Sequence, residues 1–140
     1  MLVVDIELKM EKEMKLDEKD IGMIDDLVEM LKNITSMESH AQASYKTTGD
    51  ERFLKAKNDF RKIRTRWLSL ITKKNFGQIW CLNKHSCEVM MRLDEIQARF
   101  LSTSQIKEAK MCSKDYEIAM NWLLELNDIG KEGVETKSSA

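Results

Sequence analysis

Glu38 is the most unusual chemical group in this chain. It stands within an apolar stripe of Ile24, Leu27, Leu31, Ile34, Ala41 and Tyr45 that repeats at helical three- and four-residue steps. A carboxylate on such a face must find a cation or hydrogen-bond donors to offset its desolvation. Antiparallel pairing through the turn at 46–49 brings Lys57 and Arg61 close, and the sequence favours an ion pair with them. The sharper alternative is a polar pocket in which Glu38 and Gln42, with Cys112 and Tyr116, bind a small ligand or a metal. Glu38 would then serve as a general base, although no second catalytic group is fixed by the sequence.

Cys81, His85 and Glu88 recur at i, i+4 and i+7, so thiol, imidazole and carboxylate project from one helix face, and all three are zinc-competent. Three ligands on one straight helix splay apart, no fourth is fixed, and Arg92 shares the stripe, so metal binding is disfavoured. No cofactor is implied. The segment 55–66 concentrates Lys55, Lys57, Arg61, Lys62, Arg64 and Arg66 against the single acid Asp59. These cations spread around the helix, no exposed aromatic interleaves them, and acids such as Glu29 and Glu38 can neutralise some. A solvated, ion-paired face is therefore favoured over nucleic-acid binding.

His-Glu-x-x-His, Cys-x-x-Cys, a glycine-rich phosphate loop and Gly-x-Ser-x-Gly are all absent from the sequence. The Glu-x-x-His pair of di-iron bundles is missing too, since Leu82 stands three residues before His85 and Met37 before His40. The sequence leans away from an enzyme.

These residues need helices to position them. The 140 residues contain no proline and only five glycines, 42% are hydrophobic and 34% charged, and helix formers dominate. The periodicity predicts helices over about 20–45, 50–72, 78–101 and 103–127. Lys46 to Gly49 forms the first turn, Asp50 caps the second helix, and a Ser102/Gln105 capping box starts the fourth. The predicted core rows are Phe53, Ala56, Phe60, Ile63, Trp67, Leu70 and Ile71 on the second helix, and Ile79, Leu82, Ser86, Val89, Met90, Leu93, Ile96 and Phe100 on the third. The fourth contributes Ala109, Cys112, Tyr116, Ala119, Met120, Leu123 and Asn127. Short loops between helices of similar length predict an all-α fold, an antiparallel up-down-up-down four-helix bundle over 19–129. It is preceded by an extended or irregular N-terminal arm (1–18) and followed by a flexible tail (130–140). Within the arm Val4, Ile6, Leu8 and Met10 alternate with charged residues, a strand period that would require a second strand from another molecule.

A net charge of −1 supplies no global field toward nucleic acid or anionic membrane, and charges interrupt every apolar run short of the roughly 20 residues of a membrane span. Three irregularly spaced cysteines and the absence of a secretory leader pattern point to the cytoplasm. A second apolar line on the third helix, Trp80, Cys87 and Met91, and another on the fourth, Met111, Ile118 and Trp122, exceed what a bundle buries. They predict an isologous interface in a homodimer that acts as a protein-interaction or regulatory module, with the arm as an alternative cover.

Overall fold

The computed structural model describes residues 20–74 and 76–130. The predicted arm and nearly all of the tail lie outside them. Four helices follow one another: α1 (Ile21–Thr48), α2 (Arg52–Ile71), α3 (Ile79–Ser102) and α4 (Ile106–Leu126). No strand forms among the described residues.

Local chemistry sets the boundaries. Asp20 caps α1 by accepting from the Met23 amide at 3.0 Å. Gly49 ends it with φ +70°, a left-handed conformation that costs a residue without Cβ nothing, and its N–H returns to the Tyr45 carbonyl at 2.7 Å. Asp50 then accepts from the Arg52 amide at 2.9 Å. The expected Ser102/Gln105 capping box does not form. Ser102 Oγ donates to the Arg99 carbonyl, and the Gln105 amide donates to Thr103 Oγ1. Instead α3 closes with the paired hydrogen bonds of a Schellman motif, Gln105 N–H to Phe100 O and Ser104 N–H to Leu101 O. Ser104 takes the left-handed position, at φ +59°, that glycine usually fills.

The helices pack as a bundle built from two hairpins. α1 pairs with α2 and α3 with α4, both antiparallel, as the side-chain bonds Arg64–Glu38 and Lys57–Gln42, and Asn83–Asn127 and Gln97–Ser113, require. Between hairpins the backbones approach mainly through α1 and α3. The shared core gathers Ile24, Leu27, Val28 and Leu31 of α1 with Leu68 and Ile71 of α2, Cys87 and Met90 of α3, and Leu123 of α4. Ile129, just beyond α4, closes its end.

The α1 stripe and most of the α4 stripe lie where the periodicity puts them. α2 keeps most of its expected row, with Leu70 and Ile71 buried and Phe60 and Trp67 packed against the core, whereas α3 keeps Ile79 and Met90 but is turned about its axis. On α2, Ile63 is exposed while Arg64 and Leu68 are buried. On α3, Leu82, Val89 and Ile96 are exposed while Asn83 and Cys87 are buried. Polar pairing accounts for the α3 rotation. Asn83 and Asn127 exchange reciprocal amide hydrogen bonds of 2.9 and 2.7 Å, Asn83 also donates to Thr72 Oγ1 at 2.8 Å, and Asn127 donates to the Leu123 carbonyl at 2.7 Å. Exposing either amide would strand the other in the core.

Asn83→Ala leaves the Asn127 amide buried with unmade bonds, which lowers unfolding free energy by about 1–3 kcal/mol. Urea denaturation measures this as a lower midpoint at unchanged slope. An unaltered midpoint contradicts the pairing.

Candidate functional site

Among the described residues Lys32 is the best-buried charged side chain, 1% exposed. Its ammonium has three protons and three acceptors at 2.7 Å: Glu29 Oε1 on its own helix, Asp94 Oδ2 on α3 and the Tyr116 hydroxyl on α4. Tyr116 passes its own proton on to Glu29 Oε1 at 3.2 Å, and its ring centroid lies 4.6 Å from the Lys32 nitrogen. Desolvation works against the charge, but the bonds to Asp94, Glu29 and Tyr116 outweigh it and hold the ammonium protonated well above the ordinary lysine range. Tyr116 is pushed up by burial, with Lys32 pulling the other way. The sequence offers no signal for this cluster, because Asp94 and Tyr116 are 62 and 84 positions from Lys32 along the chain.

Glu38 is ion-paired, but with Arg64, one turn beyond the expected Arg61. The guanidinium grips both carboxylate oxygens, Nε to Oε2 at 2.6 Å and Nη2 to Oε1 at 3.1 Å, with the two side chains 13% and 7% exposed. Lys57 donates to Gln42 Oε1 at 2.7 Å. Glu38, Gln42 and Lys57 line an open groove of about 300 Å³ together with Ser39, Lys84 and Glu88. Tyr116 is engaged by Lys32 and Glu29 and is not among the residues lining this groove. The expected Glu38–Gln42–Tyr116 pocket is thus not assembled, and with both oxygens held by Arg64 the carboxylate is a structural anion.

No family model, curated protein or solved structure matches this chain. The functional reading therefore rests on the geometry of the described residues. Among them no group of three or more His, Cys, Asp or Glu side chains is placed to hold a metal ion, and no helix is long and apolar enough to cross a membrane. His85 Nδ1 lies 3.1 Å from Glu88 Oε2, whereas the exposed Cys81 lines, with His85, a separate apolar groove that includes Phe76, Leu82 and Leu126.

The expected interface line divides. Met111, Ile118 and Trp122 of α4 are exposed, but on α3 Cys87 is buried and Trp80 and Met91 are half-buried. The row left open on α3 is Leu82, Val89 and Ile96, which the periodicity assigns to the core. Arg61 faces away from Glu38, into a groove shared with Lys62, Arg66 and Trp80.

The two buried cations differ in what their loss leaves behind. Glu29 and Asp94 are 58% and 46% exposed and can be rehydrated, so Lys32→Met changes stability by no more than about 1 kcal/mol. Arg64→Met strands Glu38 and costs about 3 kcal/mol or more. Equal losses in parallel denaturant titrations overturn this ranking. Burial also pushes the Cys87 thiol up to about 12 from 9.0, with Lys32 opposing and Glu88 adding to the rise. The neutral thiol therefore contributes stability that is intact below about pH 9 and lost as pH rises toward 12. At pH 8 iodoacetamide modifies Cys81 rapidly and Cys87 only after unfolding, as peptide mass mapping would resolve.

Proposed function

We propose that this protein is a non-enzymatic interaction module that associates with a second copy of itself through the outer face of the α3–α4 hairpin. One observation carries the reading. Leu82, Val89 and Ile96 at seven-residue steps on α3, and Met111, Ile118 and Trp122 on α4, are each between 43% and 58% exposed. Folded monomers rarely leave so many large apolar side chains open on two adjacent helices. A row at heptad spacing is also what one helix presents to another in an interface. The surface differs from the expected one on α3, where Leu82, Val89 and Ile96 replace Trp80, Cys87 and Met91, and retains the three residues of α4. Trp122 is its natural anchor, since tryptophan supplies the largest apolar area and is enriched among residues that dominate interface energy. In a two-fold arrangement each copy presents the same rows to the other, so a single substitution acts twice.

Light scattering of the wild-type protein gives the mass of a dimer. Val89→Glu with Trp122→Glu weakens the association by roughly thirtyfold or more and leaves the helical circular dichroism signal unchanged, because both side chains face solvent in the single chain. A monomeric wild type at every accessible concentration, or a dimer indifferent to the double substitution, overturns the reading.

A further inference from the structure

The α2 cations have a partner from another element. Arg61, Lys62, Thr65, Arg66 and Ser69 recur at helical spacing on α2, and Trp80 of α3 faces them across an open groove of about 440 Å³. No acidic side chain lines the groove among the described residues. Arg64 is occupied by Glu38 and Lys57 by Gln42, so the basic run 55–66 is sorted by the fold: its inward members serve the core, while Arg61 and Lys62 stay exposed. Trp80 is half-buried and packs against the hydrophobic core, which fixes its indole while part of it lines the groove. The sequence alone gives this helix no aromatic among its cations. The fold brings one from the next helix.

A rigid aromatic wall opposite a cationic wall suits a ligand unit that carries both a π-face and a negative charge. A nucleotide has that composition. Arg61 and Lys62 are successive helix positions whose side chains diverge by about 100°, so the charge spreads along the wall instead of converging on one phosphate. Thr65 adds a hydroxyl on the same face. Base faces are accessible in a single strand and hidden in a duplex. We propose that the groove between α2 and Trp80 binds single-stranded nucleic acid, with a base stacked on the indole and successive phosphates held by Arg61 and Lys62.

The test is fluorescence anisotropy of the full chain with a short labelled oligouridylate, a duplex of equal length and free uridine monophosphate as competitor. The wild type binds the single strand at least tenfold more tightly than the other two. Trp80→Ala weakens that binding by roughly tenfold, the scale of one lost base stack, while Trp80→Phe retains most of it. Trp80 also packs against the core, so Thr65→Glu, an exposed change that places a carboxylate in the groove, serves as the second variant. It abolishes binding without shifting the thermal melt. Arg61→Gln and Lys62→Gln each reduce the slope of log affinity against log salt by about 0.7. Equal affinity for the duplex, or binding that falls with the charge variants and ignores Trp80→Ala, identifies a generic polyanion surface and overturns the site. Competition by uridine monophosphate at the affinity of the strand overturns the single-strand assignment in favour of a free nucleotide, and binding unchanged in Thr65→Glu removes the groove altogether.

Discussion

The arrangement of this bundle depends on a buried ammonium group. A lysine nitrogen withdrawn from water is tolerable only if each of its protons is bonded. Lys32 meets that condition by drawing one acceptor from each of α1, α3 and α4. Apolar packing is indifferent to small slides and rotations, whereas three 2.7 Å bonds are not. The cluster therefore sets the register of α3 and α4 over α1 while adding little net stability, since Glu29 and Asp94 stand half in water, and Arg64 with Glu38 sets that of α2 over α1. No buried side-chain nitrogen or oxygen among the described residues lacks a partner, so the polar groups in this core act as keys and leave no defects.

These keys determine the outer surface as well. Asp94 must reach Lys32 and Asn83 must reach Asn127, and the two requirements turn α3 so that Cys87 and Met90 face inward. Leu82, Val89 and Ile96 are then displaced outward, while Trp80 lines the groove on the basic side of α2. The apolar face and the aromatic groove are two results of one rotation.

Helix number and the first turn were legible because proline is absent and Gly49 and Asp50 mark a stop and a start that the backbone obeys. α1 was legible because it has one apolar stripe. α3 is legible only in part: Ile79 and Met90 are buried as the periodicity predicts, but the row of Leu82, Val89 and Ile96 is as apolar as the row that contains Cys87, and the choice falls to Asn83, whose partner lies 44 residues away. A residue type that is usually solvated gives no sign that a matching amide awaits it. The same holds for Lys32. Glu38 was recognisable as a buried anion because it interrupts an apolar stripe, but its cation was misplaced by one turn, as interhelical register depends on crossing geometry that spacing alone does not carry. The end of α3 departs from its sequence pattern for a related reason: Ser102 and Gln105 have the composition of a capping box, while the chain uses Ser104 as glycine is ordinarily used.

The three-residue links 49–51 and 103–105 have a kinetic consequence. Each hairpin closes on contacts near in sequence, so its formation carries a small loop-closure cost and belongs to the fast regime of helical folding. The seam between hairpins is different: Lys32 must shed its water before Asp94 and Tyr116 can replace it. These contacts join residues 62 and 84 positions apart, so they carry the larger loop-closure cost.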